Sequence, residues 1–411
     1  FEVPEGWCWC RLRDICMMLA GKSKPADQIK SEYFEGSYPC FGGNGIRGYV
    51  DEYNQDGTFS IVGRQGALCG NINVATGKFY ATEHAVVTTL FVGIDFKWSN
   101  YILEALRLNK YATGAAQPGL SVANILNVFV PIPPTQEQDR IGNNIDKSLK
   151  IIEVIEQEKT DLQKNIITAK SKILDLAIRG KLVPQAPNGE PASVLLERIR
   201  AEKEKLILQG KIKRDKKESV IFKGDDNSYY GISLPTGWSW TILKDISFSI
   251  SDGSHNPPSN KEFGVPLLSA ANVNNNSILI NNASRWITNE EWEIENQRTD
   301  IEIGDVLLTI VGSIGRSAVV ETNEHFALQR SVAVIKPCLI SPFYLMRIFQ
   351  APQIQKWIND NSKGTAQKGI YLNALSIMTV PIPPLDEQLR IVKQISIFFE
   401  QLDLISSSLL C

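Results

Sequence analysis

Three histidines, seven cysteines and a few acidic neighbours are all this 411-residue sequence offers to catalysis or metal binding. His84, His255 and His325 are too scattered for a metal cluster that spacing alone would reveal. Cys8, Cys10, Cys16, Cys40, Cys69, Cys338 and Cys411 are odd in number and include no pair of CxxC motifs, the spacing a zinc knuckle needs. Cys8 and Cys10 flank Trp9 and would share a strand face, but no histidine or second pair completes a site. Free thiols in a reducing cytoplasm are the reading. Glu83-His84, beside a probable strand by composition, reads as a structural pair rather than a dyad. There is no GxSxG, no Walker A loop and no PD-(D/E)xK constellation.

One pair of motifs does suggest an enzyme. Phe41-Gly-Gly-Asn-Gly45 fits FxGxG, the loop with which adenine-N6 methyltransferases hold S-adenosylmethionine, and Asn256-Pro-Pro-Ser259 nearly fits their NPP[YF]. A cofactor loop of that kind follows a parallel strand and opens a helix. Here Tyr38-Pro39 precedes the glycines, and Ile46 to Val50 reads as a strand. Ser259 stands where an aromatic ring would hold a flipped adenine. An S-adenosylmethionine-dependent adenine-N6 methyltransferase is therefore the alternative reading, and the weaker one.

The elements that carry these residues come from a duplication. Val130-Pro-Ile-Pro-Pro134 recurs as Val380-Pro-Ile-Pro-Pro384, an offset of 250 residues, and Glu137-Gln138-x-Arg140-Ile141 matches Glu387-Gln388-x-Arg390-Ile391 without a gap. Gly114, Ala116, Gln117 and Gly119 match Gly364, Ala366, Gln367 and Gly369 at the same offset. The halves also open alike, Pro4-x-Gly6-Trp7-x-Trp9 answering Pro235-x-Gly237-Trp238-x-Trp240. Each half reads as a globular domain that ends in proline punctuation and then a helix, because proline cannot continue a helix but is free to start one. Thr135 and Asp386 are candidate caps.

The spacing predicts a helix over 135–182, with Gly142 as a blemish, and a second over 385–411. Positions alternate steps of three and four through Ile152, Ile155, Lys159, Leu162, Ile166, Ala169, Ile173 and Leu176, all but Lys159 apolar, and again through Ile395, Phe398, Leu402 and Ile405. That is a coiled-coil seam. Between them, residues 183–234 hold a short charged helix and the basic run Lys211 to Lys217, read as linker. The chain starts at Phe1 without methionine and its last helix is much shorter than the first, as in a trimmed sequence. No apolar run reaches the ~18 residues of a membrane span.

Residues 1–134 and 235–384 mix short β-branched runs with Gly and Asn turns, which predicts α+β domains. Thr58 to Val62, Ala85 to Leu90, Asp305 to Val311 and Ser331 to Ile335 are expected strands; Trp98 to Asn109 and Pro342 to Asn359 are expected helices. The halves differ most between Lys22 and Asp56 and between Ser251 and Arg298, as one scaffold adapted to two targets would. Those regions and the glycine-flanked loops that follow strands carry the candidate DNA contacts. They are Lys22, Lys24, Asn44, Arg47, Arg64 and Gln65 in the first half. In the second they are Ser254, His255, Asn256, Asn272, Asn274 and Arg316. Arginine forks onto guanine, and Asn or Gln onto adenine, at major-groove edges. A net charge of −2 argues against a chain that coats nucleic acid indiscriminately and leaves room for local patches.

The paired Pro-x-Gly-Trp openings, the paired Val-Pro-Ile-Pro-Pro…Glu-Gln closings and Ile173-Leu-Asp-Leu-Ala-Ile-Arg-Gly-Lys-Leu-Val-Pro184 together resemble the specificity subunits of type I restriction-modification systems. Ser251 to His255 and Gly43 to Gly48 also resemble stretches of their target-recognition domains. The resemblance spans essentially the whole chain. It implies two target-recognition domains related by a pseudo-twofold axis and separated by a long antiparallel coiled coil. Each would read half of a bipartite, asymmetric site in double-stranded DNA. It further implies a non-catalytic chain that docks two modification subunits, with restriction subunits supplying translocation and cleavage. S-adenosylmethionine, ATP and Mg would sit on those partners and none in this chain. The resemblance makes helix length a ruler for the unread spacer: ~30 paired residues at ~1.5 Å each span ~45 Å, a little over one turn of DNA. The short C-terminal helix departs from the pattern.

Overall fold

The computed structural model describes residues 2–114, 118–186, 189–212, 214, 229–364 and 368–409, so most of the basic run Lys211 to Lys217 lies outside the described residues. The chain forms two compact units, residues 1–158 and 159–411, and the boundary falls inside the long helix Thr135–Ile178. Among the described residues no helix is long and apolar enough to cross a membrane.

The first unit is built on a six-stranded sheet. Its order is Cys16–Ala20, Ala85–Leu90, Gln55–Gly63, Ile72–Ala81, Tyr38–Gly42 and Gly45–Val50. All neighbours are antiparallel except Tyr38–Gly42 on Ile72–Ala81. Side chains alternate faces along a strand, and the sheet uses this to fill two cores. Val62 and Val86 point with Leu12, Trp98 and Leu103 into one, while Ile61 and Val87 point with Phe41, Phe79 and Ala75 into the other. The first helical stretch is Phe96–Ala105; it stops short of the expected Asn109 because Arg107 takes a φ of 48°, and a separate turn, Leu108–Tyr111, follows.

The second unit repeats the antiparallel part of this order in Ser247–Asp252, Val332–Pro337, Val306–Thr309 and Ser317–Val319. A three-stranded sheet stands beside it, Trp286–Ile287, Val265–Leu268 and Ala327–Leu328, the last two parallel. Val306 and Leu308 face one core and Leu307 the other, as in the first unit. The four expected strands are all present. The helix expected over Pro342 to Asn359 is two, Pro342–Gln350 and Pro352–Asp360. Pro352 lacks the N–H that would continue the first helix, and Ala351 before it is extended at ψ 140°.

The repeated signature residues hold each unit shut. Cys8–Arg11 pairs with Phe129–Ile132, and Ser239–Ile242 pairs with Thr379–Ile382, so opening and closing motifs lie side by side. Gln138 is buried; its Oε1 accepts from Asp95 N–H at 2.8 Å and its amide donates to Pro133 O at 2.9 Å. Gln388 does the same with Ser341 N–H (3.0 Å) and Pro383 O (3.1 Å). Asp95 and Ser341 are the N-caps of the helices Phe96–Ala105 and Pro342–Gln350. Each glutamine thus ties a cap to the proline strand. Trp7 Nε1 adds a donor to Glu137 at 3.1 Å. Gly142 proves to be a contact rather than a blemish: an added Cβ would lie 2.8 Å from Lys97 Cβ and 3.1 Å from Trp98 N.

In the second unit the end of the long helix and the helix Leu385–Ser408 run in opposite directions. Lys170 meets Asp403, and beyond the helix end Gln185 meets Glu387 at 2.7 Å. The seam drawn from the sequence is corrected in register. Ile395 and Ile166 are buried, but the other buried positions are Leu174, Ala177, Ile178, Ile391 and Phe399, while Ile173, Leu176, Phe398 and Leu402 are half-buried. Here the long helix shares a core with the helix Ala192–Leu208, through Leu195 and Ile199, and with Trp238. A helix with several neighbours buries a broad face rather than a narrow two-helix stripe. Ile152, Ile155 and Ile405 are exposed, as is Leu162 at 39%. The antiparallel register brings the end of the described closing helix, Ser408, to about the level of Ile166.

Asp175 anchors this end. Its carboxylate accepts from Arg179 Nε at 2.6 Å, from Lys172 at 3.1 Å and from Gln353 of the neighbouring helix. Burial pushes its pKa up, yet these hydrogen bonds outweigh burial and hold it below the usual carboxylate value. Asp175→Ala should cost about 3 kcal/mol near neutral pH, because it strands paired buried groups. A depressed carboxyl stabilises above its unfolded pKa and loses that contribution as pH falls through the folded value. The gap in melting temperature between wild type and variant should therefore narrow below about pH 4; a gap independent of pH would contradict this.

Candidate nucleic-acid interface

One end of each sheet gathers loops from distant parts of its unit, and the same backbone frame holds them in both. In the first unit Gly21 N–H donates to Ala85 O (3.0 Å), Lys22 N–H to Ala81 O (3.0 Å) and Thr82 N–H to Phe41 O (3.0 Å). Arg64 N–H donates to His84 O (2.9 Å), Leu120 N–H to Arg64 O (2.8 Å) and Gly66 N–H to Pro118 O (3.0 Å). In the second unit the corresponding bonds run Gly253 to Val332 (3.1 Å), Ser254 to Leu328 (2.7 Å) and Gln329 to Leu268 (2.8 Å). Ile310 to Ser331 (2.8 Å), Ile370 to Ile310 (2.9 Å) and Gly312 to Lys368 (3.1 Å) complete the set. The glycines at the crossing are obligatory. A Cβ on Gly21 would lie 2.0 Å from Ala81 O, and one on Gly253 2.1 Å from Leu328 O.

In this register the counterpart of Arg64 is Ile310, and the counterpart of Gly66 is Gly312, both glycines at positive φ. In the second unit Asp252, His255, Arg330, Lys363, Gly364 and Tyr371 are among the residues lining a cleft of about 300 Å³. Asp252 is buried and organises one wall. Its carboxylate takes His255 Nε2 at 2.8 Å and Arg298, whose Nε also donates to the Asp252 carbonyl at 2.9 Å. Arg330 has no carboxylate within ion-pair distance among the described residues, so positive charge is in excess. In the first unit Gly43, Asn44, Gln65, Gly66, Ala67, Leu68 and His84 line a cleft of about 380 Å³. These clefts offer hydrogen-bond donors and acceptors on short loops over a rigid sheet, which suits recognition of base edges and phosphates.

The twelve sequence candidates divide on burial. Lys22, Asn44, Arg47, Gln65, His255 and Asn256 are exposed and Arg64 half-buried, and all seven lie on loops at this end or on the adjoining edge strand. Asn44 accepts from Asn71 Nδ2 at 2.9 Å. Asn274 and Arg316 hold each other at 3.2 Å. Three assignments are corrected. Lys24 buries its side chain between Glu52 (2.7 Å), Asp51 (3.7 Å) and the Tyr80 ring; the hydrogen bond it donates to Glu52 raises its pKa and keeps it a cation paired within the fold. Asn272 is buried, its Oδ1 accepting from Ser269 N–H (3.0 Å) and its Nδ2 donating to Asn282 O (3.0 Å). Ser254 is buried, its backbone spent in the crossing. The sequence also passed over Asp252, Arg298, Arg330 and Lys363. Only the folded register brings them together.

The FxGxG segment is the turn of an antiparallel hairpin, Tyr38–Gly42 on Gly45–Val50, with no helix after it. Among the described residues no three His, Cys, Asp or Glu side chains are placed to hold a metal.

The chain thus holds two duplicated α+β units, each closed by its own signature residues and each presenting a loop-built cleft. The model of the type I restriction modification DNA specificity domain matches residues 4–164 and 242–409, and the chain belongs to that family. It is 46% identical over 137 residues to the Type I restriction enzyme EcoprrI specificity subunit of Escherichia coli, 33% of this chain and 34% of that one. It is 25% identical over 302 residues to the EcoBI specificity subunit of Escherichia coli, 72% of this chain and 56% of that one. These two matches thus span less than two thirds of either relative. The EcoEI specificity subunit of Escherichia coli is 23% identical over 500 residues, covering 100% of this chain and 80% of that one. Among solved structures the fold matches the HsdS subunit from Thermoanaerobacter tengcongensis with a TM-score of 0.59 at 16% identity, over 99% of this chain and 93% of that one. A chain from a study of complex assembly and conformational transition of the type I R-M system gives 0.61 at 16% identity, over 100% and 94%.

Proposed function

We propose that this chain is the DNA-reading subunit of a cytoplasmic type I restriction-modification complex. Each unit reads one half of a bipartite, asymmetric site in double-stranded DNA, and the helices dock two modification subunits. The chain itself catalyses nothing. S-adenosylmethionine is held by the modification subunits, and ATP and Mg serve the restriction subunits that translocate and cleave. The observation that carries this reading is the shared frame. Two units of one chain hold equivalent loops at equivalent positions, and the side chains on those loops differ. A common scaffold with different surface chemistry is what reading two different half-sites requires.

The test is to express the chain with and without its modification subunits and to sequence methylated adenines on a random DNA library. The expected result is methylation only in the complex, at one motif made of two half-sites and a fixed unread gap. Methylation by the isolated chain would instead favour the methyltransferase, and S-adenosylmethionine binding to it would say the same.

A further inference from the structure

The shared frame also fixes which residues of the two clefts correspond, and at one position the chemistry is inverted. Thr82 and Gln329 occupy the same place, each donating its N–H to the end of the parallel partner strand. His84 and Ser331 match as the acceptors from Arg64 and Ile310. The residue between is Glu83 in the first unit and Arg330 in the second. Arg330 is exposed and lines its cleft, while Glu83 is about one-third exposed beside the cleft-lining His84. Glu83 is poorly satisfied: Oε1 is 3.5 Å from His84 Nε2, and Oε2, shut off from solvent, has no hydrogen-bond partner. Arg330 lacks an acidic partner among the described residues, as noted above.

We propose that Glu83 and Arg330 are the paired specificity-determining residues of the two units, an inference that rests on the DNA-reading function above. An ionised carboxylate only accepts hydrogen bonds and is repelled by phosphates, so at a DNA surface its use is to take an amino group from a base edge, cytosine N4 being the fitting donor. A guanidinium donates in a fork that matches guanine O6 and N7. One backbone position therefore selects opposite faces of the hydrogen-bond code in the two half-sites.

The experiment compares the assembled complex carrying Glu83→Gln, Arg330→Gln or Arg330→Lys with wild type, by sequencing methylated adenines on a randomised library. Glu83→Gln should change one base position of one half-site, and Arg330→Gln one position of the other, with discrimination falling roughly five- to hundredfold. Arg330→Lys keeps the charge and loses the fork, so it should lose discrimination too. If Arg330→Gln weakens binding uniformly on all sequences and Arg330→Lys restores it, Arg330 is a phosphate contact and the proposal fails. If Glu83→Gln leaves both half-sites unchanged, it fails as well. A wild-type complex that shows no bipartite motif would instead overturn the DNA-reading function itself.

Discussion

On the proposed function, four residues inserted after Glu158 should lengthen the unread gap of the methylated motif by about one to two base pairs and leave both half-sites as they were. The long helix is continuous from Thr135 to Ile178, and its two ends are built into different units. Gly142 packs against Lys97 and Trp98 in the first, while Leu174, Ala177 and Ile178 lie in the core of the second. Neither anchorage involves the turns around Glu158, which are exposed. An inserted turn adds ~6 Å of helix between the anchorages, against ~3.4 Å per base pair of DNA. The measurement is the gap length in the sequenced motif. Altered bases in either half-site would show that the units are not independent readers.

The second large effect is expected from a single methyl group. Gly253→Ala places a Cβ 2.1 Å from Leu328 O and 2.3 Å from Leu328 C, both backbone atoms that cannot swing away. Overpacking of this kind costs about 3 kcal/mol or more, here concentrated where Ser254 crosses to Leu328. The strand end should part from Gln329 to Val332, and with it the wall formed by Asp252, His255 and Arg330. Sequence-directed methylation by the complex should fall at least ~100-fold, since ~3 kcal/mol corresponds to that ratio. Gly21→Ala should do the same from the first unit, where the distance is 2.0 Å to Ala81 O. Near-wild-type activity in either variant would show that the crossing is looser than its geometry implies.

These glycines also show what the sequence could and could not disclose. Gln138, Gln388 and the proline strands were legible because they recur at a fixed offset, and the structure gives the reason: they perform the same local bonding twice. Short β-branched runs located the strands Ala85–Leu90 and Val332–Pro337 for a similarly local reason. The equivalence of Gly21 with Gly253, and of Glu83 with Arg330, was not legible. Insertions separate the repeats there, and what the positions share is a backbone hydrogen bond, not a side-chain type. The helix seam failed differently. Periodicity shows that a helix has an apolar face, but not how many neighbours that face meets. Phe398 was therefore chosen where Phe399 is buried. Lys24 and Asn272 were misjudged because polar residues that satisfy each other inside a fold look, in sequence, like polar residues waiting for a ligand.

The clasp that closes each unit has a consequence for a chain emerging from a ribosome. Cys8–Arg11 is made more than a hundred residues before its partner Phe129–Ile132; Gln138 must then be available before Asp95 is tied down. The amino-terminal unit can be finished while the rest is still being translated. The other cannot, because Leu174, Ala177 and Ile178 share a core with Ile391, Ile395 and Phe399, which are made more than two hundred residues later. Until then Leu195, Ile199 and Trp238 are the cover this apolar stretch of helix has from its own chain.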